Sequence, residues 1–206
     1  MEQPFFSARL AQGREQHRIE HIAALRRHIA SHRPQVLGAD EQHDLLHMHE
    51  EEKIARDVYV QLGERWGLRP FLNISGAEQA HRDAIAALLL HYGLSDPAPG
   101  LPVGVFHTPA FQTLHDSLLA QGLSSERDAI QVGLRIEELD IFDLAEARSR
   151  TRQPEILAVY EDLERGSRNH LRAFHHHLLR LGDRYVAQHM RQADFDAVAL
   201  SPHESC

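Results

Sequence analysis

The sequence predicts an all-α protein in which two helical hairpins form a four-helix bundle. Apolar residues recur at helical spacing in several long segments, glycine and proline divide these segments, and the alternation typical of β-strands is missing. The 206 residues are 42% hydrophobic and 25% charged, as in ordinary globular proteins. We expect an accessory helical segment over residues 1–38, the bundle over residues 39–183 and a tail over residues 184–206 packed on the bundle.

The first two elements are predicted from apolar periodicity and end signals. An accessory helix is expected over about residues 15–31, because isoleucine and leucine recur there at helical spacing and Pro34 follows. After Gly38, Asp40 is suited to cap a long first bundle helix. Its apolar stripe continues to Gly67, a typical helix-ending glycine.

The second bundle helix and the crossover follow from similar signals. Asn73 or Ser75 is expected to begin the second helix and Gly93 to end it, antiparallel to the first. Residues 96–109 contain too many prolines and glycines for a long helix and are predicted to be a crossover. A short helix should follow, opened by a Thr-Pro pair and ended by Gly122.

The second hairpin completes the predicted bundle. Ser124 or Ser125 is expected to open a third bundle helix that runs to about Arg148. Pro154 should open the fourth, which runs to Gly182. The tail is expected to form a turn and a short helix. Two hairpins joined by one long crossover is the connection found in ferritin-like bundles.

Charged side chains interrupt the apolar face of each predicted bundle helix, where burial without a partner is costly. Glu52 is the polar residue in the stripe of the first helix, and Glu78 and His81 lie one turn apart on the second. Two irons or manganeses would neutralise several carboxylates in a dry interior, with imidazoles completing the coordination. The predicted metal ligands are Glu52, Glu78, His81, Glu137, Asp140 and His170.

Several of these assignments have an alternative. Glu52 belongs to a run of three glutamates, which is usually a solvated face, and His170 could be a hydrogen-bonded core histidine. Glu138 is the alternative to Glu137 as the metal ligand on the third bundle helix. Glu138 shares a face with Gln131 and Arg135, and we expect that face to be more exposed to water. Tyr59 is the one catalytic candidate, as a hydrogen-bond donor to a carboxylate or an electron relay; a packed core tyrosine is the alternative.

Three groups of motifs carry a resemblance to a known family. EKIARDVY, with Glu52, Ala55 and Tyr59, resembles the first-helix signature of rubrerythrin-type ferritin-like proteins, and AEQAH resembles their second-helix E-x-x-H motif. EEEKIARDVY, VGVF, GLRIEELDIFDL and RGSRNHLRAF together resemble a bacterial ferritin-like family classed as a domain of unknown function. The resemblance covers about residues 44–181. It implies a ferritin-like four-helix bundle with a di-metal site.

The sequence departs from the ferritin-like pattern in the fourth helix. A second E-x-x-H is expected there, but Ser167 stands three residues before His170. Asp140, one turn after Glu137, could supply the missing oxygen, so the sequence leaves open whether one or two ions bind.

A di-metal centre predicts oxidase, peroxidase or ferroxidase chemistry with dioxygen or peroxide. Electrons would come from an external donor or from ferrous iron, because the chain has no cysteine-rich electron-transfer module. Two alternatives belong to other classes: a metal storage or sensing protein without turnover, and a structural bundle that keeps the acids as a buried hydrogen-bond network.

Composition excludes several other classes. The net charge of −8 without a basic stripe argues against nucleic-acid binding. No apolar run reaches the roughly 18 residues of a membrane helix, and no secretory signal is recognisable, so we expect a cytoplasmic protein. The single cysteine, Cys206, excludes a disulfide framework, and no motif indicates flavin, haem or nucleotide.

Seventeen histidines are conspicuous, and three i, i+4 pairs of them could bind metal at a surface. These pairs are expected by chance in so histidine-rich a chain; they are His17/His21, His28/His32 and His43/His47. The accessory helix also permits pairing of bundles in a homo-oligomer.

Overall fold

The computed structural model describes the backbone of residues 3–205 and the side chains of residue 13 and residues 16–205, so Cys206 lies outside the described residues. Within this range there are α-helices and no strands, which confirms the all-α prediction. The helices are α1 (Gln3–Ala30), α2 (Ala39–Trp66), α3 (Arg69–Tyr92), α4 (Pro109–Gly122), α5 (Glu126–Arg150), α6 (Pro154–Arg180) and α7 (Gln192–Ala199). In the described part of the chain, no helix is long and apolar enough to cross a membrane.

Four long helices enclose the interior. Helix α2 packs along α3, and α5 packs along α6, while contacts of α2 with α5 and of α3 with α6 join the two pairs. Around them, α1 lies against α3 and α6, α4 against α2 and α5, and α7 against α6.

The apolar core consists of two clusters. One includes Tyr59, Phe71 and Phe174, whose ring centroids lie 5.1–5.6 Å apart; the other includes Met48 and Leu163. Along the chain, polar residues come between members of the two clusters on three helices: Glu52 on α2, Glu78 and His81 on α3, and Ser167 and His170 on α6. The interior therefore has a polar layer between two apolar ones.

Most helix ends lie where the sequence predicts them. Gly67 and Gly93 adopt the left-handed conformation (φ 65° and 69°) that ends α2 and α3. Ser125 caps α5 by accepting a hydrogen bond from the Asp128 amide at 3.0 Å. Pro154 opens α6.

Three predicted helix starts are wrong. Helix α2 begins at Ala39 with Gly38 as its N-cap, so Asp40 lies in the first turn and is not the cap. Helix α3 begins at Arg69, not at Asn73 or Ser75. Pro70 fits the first turn, because the backbone amides of that turn have no hydrogen-bond partner within the helix and proline lacks an amide hydrogen. Helix α1 begins at Gln3, well before the start predicted near residue 15.

The crossover before α4 is anchored to α2 by a buried ion pair. Lys53 and Asp57 have no exposed surface, and Lys53 Nζ donates to Asp57 and, at 2.9 Å, to the Pro102 carbonyl oxygen. The Gly104 amide donates to Asp57 Oδ2 at 2.9 Å, and Lys53 Nζ lies 4.3 Å from the centroid of the Phe106 ring. The only lysine of the chain thus holds the crossover in place.

Candidate metal centre

The polar layer brings together acids and histidines from all four long helices. Each of these side chains lies on the otherwise apolar face of its helix, so packing of the helices buries the side chain. The six sequence-predicted ligands are all largely or fully buried: Glu52 on α2, Glu78 and His81 on α3, Glu137 and Asp140 on α5, and His170 on α6.

Five of these residues form two triplets that share Glu78. In the first, His81 Nδ1 lies 2.9 Å from Glu78 Oε2 and 3.3 Å from Glu52 Oε2. In the second, His170 Nδ1 lies 2.8 Å from Glu78 Oε1 and 3.5 Å from Glu137 Oε2. Within each triplet, one ligand atom from each residue lies within 4.8 Å of the others. The two oxygens of Glu78 therefore face two different imidazoles.

Several buried atoms of the triplets form no hydrogen bond with the described residues, although they lie close to one another. They are both carboxylate oxygens of Glu52, Glu78 Oε1, and the Nδ1 atoms of His81 and His170. These atoms lie at ion-pair distance from one another, so protons on the imidazoles balance the carboxylate charge, and without those protons the buried carboxylates need another cation. Imidazole nitrogens and carboxylate oxygens converging on two points are a donor set that fits two divalent transition-metal ions.

Gly166 on α6 makes room for the ring of His81. A Cβ atom at Gly166 would lie 2.5 Å from His81 Nε2, which is closer than atoms approach without displacement. The Nε2 edge of the ring thus packs on the α6 backbone, and Nδ1 faces Glu52 and Glu78. This residue was missed in the sequence, where Gly166 indicates only a small residue on an apolar face.

Asp140 lies outside both triplets. Its carboxylate accepts a hydrogen bond from Ser167, the residue that stands where the ferritin-like pattern has a second glutamate. Burial raises the pKa of Asp140 to about 7, with Ser167 opposing the shift and the charge of Glu137 adding to it. Burial and the charge of Asp140 raise the pKa of Glu52 well above its ordinary value. Asp140 is therefore an electrostatic neighbour of the cluster.

The imidazoles balance the charge of the carboxylates. Burial opposes protonation of His170, but Glu78 and Glu137 outweigh it and raise the pKa of His170 to about 10. In the same way Glu52 and Glu78 outweigh burial and raise the pKa of His81. Burial and the charge of Glu78 raise the pKa of Glu137 to about 7. Burial also opposes ionisation of Glu78, but His170 and His81 outweigh it and lower the pKa of Glu78. Protons thus occupy the cluster at neutral pH in the absence of metal.

Tyr59 contacts the cluster directly. Its hydroxyl donates to Glu137 Oε1 at 2.6 Å, and its ring packs against Phe71 and Phe174. Burial and the charge of Glu137 raise the pKa of Tyr59 well above its ordinary value, so the hydroxyl stays protonated and donates. The hydrogen bond to a carboxylate is present, and a role as electron relay stays a prediction.

Glu138 is not on a wet face, and that expectation is wrong. It has no exposed surface, because the tail covers this side of α5. Its carboxylate accepts hydrogen bonds from the backbone amides of residues 188–190 at 2.8–3.0 Å and from the Tyr185 hydroxyl at 2.7 Å. Burial opposes ionisation, but these donors outweigh it and lower the pKa of Glu138. Glu138 therefore binds the tail, and Glu137 faces the cluster.

We expect Glu138→Gln to loosen the tail, because a neutral amide cannot accept from all these donors as a carboxylate does. A hydrogen bond to a charged group contributes about 1.5–3 kcal/mol. Limited proteolysis and amide hydrogen exchange should show faster cleavage and exchange over residues 185–199, with α2 and α3 unchanged. Glu161→Gln, at a side chain that is 59% exposed, is the matched control. Equal protection in both variants would contradict this role.

The run of three glutamates is buried, contrary to the solvated alternative. Glu50 accepts a hydrogen bond from Thr108 Oγ1 at 2.7 Å, at the end of the crossover. Glu51 faces His47 of α2 and Asp143 of α5, and these three residues form a further cluster of potential metal ligands. Helical periodicity could not show this, because the three glutamates point in different directions and each is covered by a different element.

Comparison with known proteins places this architecture among uncharacterised relatives. Residues 41–202 match the family described as "Uncharacterized protein domain (DUF2202)". The uncharacterized protein MJ0754 of Methanocaldococcus jannaschii is 41% identical over 177 residues, which cover 86% of this chain and 96% of that protein. The crystal structure of hypothetical protein MJ0754 is similar with a TM-score of 0.81, covering 83% of this chain and 98% of that one. The matched family region contains both triplets and lies outside α1.

Proposed function

This chain belongs to the DUF2202 family, and we propose that its acid/histidine cluster is a di-metal centre inside a ferritin-like four-helix bundle. The observation that carries the proposal is the position of Glu78. Its two oxygens lie 2.8 and 2.9 Å from two histidines, and each histidine has a second carboxylate beside it. A carboxylate between two imidazole-bearing sites is suited to bridge two ions.

The helix connections support the ferritin-like part of the proposal. Helices α2 and α3 form one hairpin, α5 and α6 form the other, and the crossover with α4 joins them. The E-x-x-H pair of Glu78 and His81 projects inward from α3. Ferritin-like bundles hold their metals with such a pair on each of two helices, and of the second pair this chain has only His170 on α6.

The residues divide between two ions. Glu52 and His81 would bind the first, Glu137 and His170 the second, and Glu78 would bridge them. Mixed imidazole and carboxylate ligands suit iron and manganese. Asp140 would stay in the outer shell, hydrogen-bonded to Ser167.

Bound as Fe²⁺, the pair would supply electrons for the reduction of dioxygen or peroxide, as in an oxidase, peroxidase or ferroxidase. Around it, the chain controls protons and water. Tyr59 holds Glu137 in one orientation, and the apolar clusters on both sides exclude water. Burial raises the pKa of Asp140 to about 7 in the metal-free cluster, and bound cations would lower it, so metal binding would release a proton from this group. A cytoplasmic location, which we also propose, would provide ferrous iron and an external electron donor.

The test is metal content after anaerobic loading with Fe²⁺ or Mn²⁺, on protein without a histidine tag. We expect about two ions per chain at these interior residues, and neither of them in Glu78→Ala/His81→Ala. Turnover with dioxygen or peroxide would then separate an enzyme from a storage or sensing protein. A wild type that binds no metal at these residues would overturn the proposal. If the bundle is only structural, Glu78→Ala/His81→Ala should be less stable than the wild type in metal-free buffer, and both proteins should have the same metal content.

Gly166→Ala should damage the centre without adding or removing a ligand. Because the new methyl group would meet His81 Nε2 at 2.5 Å, the ring must shift, which moves its Nδ1 away from its present position between Glu52 and Glu78. We expect loss of about one ion per chain, measured by mass spectrometry, with unchanged helix content in circular dichroism. Gly13→Ala is the control, since nothing lies within 4 Å of that position. Full metal content in Gly166→Ala would show that the ring position does not matter.

A further inference from the structure

A third group of potential ligands lies between α2 and α5, outside the interior centre. His47 and Glu51 are one turn apart on α2, and Asp143 faces them from α5. One ligand atom from each lies within 4.8 Å of the other two, and His47 Nε2 is 3.3 Å from Glu51 Oε1. The cluster therefore offers one imidazole and two carboxylates to a single point.

A buried oxygen indicates that a ligand is missing from this cluster. The Glu51 side chain is only 9% exposed, and its Oε2 atom forms no hydrogen bond with the described residues. The arginine that lines the same pocket is already engaged, because Arg150 donates to both oxygens of Asp44 at 2.9 Å. A carboxylate held out of water in this way is stabilised most by a cation.

The cluster opens to solvent, unlike the interior centre. The His47 side chain is 36% exposed, and together with Asp143 it lines a surface pocket that also contains Asp40 and His43. Three protein ligands with open positions form the type of site that keeps water or exchanges its ion. Imidazole with two carboxylates selects a divalent transition metal over calcium or magnesium, which prefer oxygen ligands alone.

The cluster also adjoins the interior centre along both helices. Glu51 precedes Glu52 directly, and Asp143 lies one turn after Asp140 on α5. We propose that His47, Glu51 and Asp143 form a second divalent-metal site, open to solvent, which takes up an ion at the surface and passes it to the interior centre. The binding part stands by itself, and the transfer part rests on the proposed function.

Binding is tested with Co²⁺ alone, whose visible absorption reports its ligands. Glu78→Ala/His81→Ala should bind about one Co²⁺ per chain, and adding His47→Ala should abolish it. In the intact protein, His47→Ala should lower the total from about three ions to two. Since this comparison needs no change at the interior centre, misfolding of the double variant does not affect it. His176→Ala, at an exposed histidine of α6, is the control.

Transfer is tested by the rate at which the interior centre fills. We expect Asp143→Asn and His47→Ala to slow uptake of Fe²⁺ by the interior by at least about tenfold, because a negative site at the entrance concentrates cations. The final interior content should stay unchanged. If the intact protein binds only one ion and His47→Ala loses it, the result would support this site and contradict the interior centre. Unchanged Co²⁺ binding in His47→Ala would overturn the site, and unchanged uptake rates would overturn transfer.

Discussion

Glu78→Gln is expected to remove both metal ions from the interior centre. One oxygen of Glu78 belongs to each triplet, so a neutral amide at this position deprives both ions of a charged ligand. Losing an outer-shell partner alone costs about 10–100-fold in metal affinity, and we expect the loss here to exceed about 100-fold for each ion. Equilibrium dialysis against Fe²⁺ or Mn²⁺, followed by mass spectrometry, measures it.

Glu52 and Glu137 provide the comparison, because each belongs to only one triplet. Glu52→Gln and Glu137→Gln should each weaken one ion and leave about one tightly bound ion per chain. Glu155→Gln is a control for a buried glutamate elsewhere, one that accepts a hydrogen bond from Tyr92. Equal losses in Glu52→Gln and Glu78→Gln would contradict the bridging position of Glu78.

Asp57→Asn is expected to cause a large loss of stability. Burial lowers the pKa of Lys53 from its ordinary value and Asp57 opposes that shift, so an asparagine leaves a buried ammonium group without its counterion. Removing one partner of a buried ion pair costs about 3–5 kcal/mol, which for a chain of this length lowers Tm by about 10 °C. Thermal unfolding followed by circular dichroism measures it. Hydrogen exchange should show the crossover opening first, because Lys53 and Asp57 hold Pro102 and Gly104.

Two further variants separate the ion pair from a general loss of charge. Asp194→Asn breaks an exposed pair with Arg191 and should change the free energy of unfolding by less than about 1 kcal/mol. Lys53→Met/Asp57→Leu replaces both charges by apolar groups and should recover much of the stability lost in Asp57→Asn. A small effect of Asp57→Asn would contradict the role of the ion pair, because this variant removes the carboxylate from Lys53 and from Arg56 alike.

Much of the candidate centre could be predicted from helical periodicity. The spacing of apolar residues shows which face of a helix is buried, and a charged residue on that face is a candidate metal ligand. This argument found Glu52, Glu78, His81, Glu137 and His170, which the structure brings together. It also placed Asp140 in the interior, where Asp140 pairs with Ser167 outside both triplets.

The same argument failed where a distant segment covers a helix. Glu138 was assigned to a wetter face because its neighbours on α5 are polar, but the tail supplies it with four hydrogen-bond donors. Lys53 carried no signal in the sequence, and its role depends on the crossover that lies against it. In the sequence, Gly166 indicates only a small residue on an apolar face, and its contact with the His81 ring is visible only in the structure.

Local spacing, together with capping and breaking residues, was enough to predict the number of bundle helices and most of their buried faces. Which buried groups meet could be learned only from the packed structure: Glu78 lies between two histidines, Glu138 binds the tail, and Glu51 faces Asp143. Such contacts depend on the rotation and displacement of one helix relative to another. Packing of side chains across the whole interior sets those quantities, and no single helix contains them.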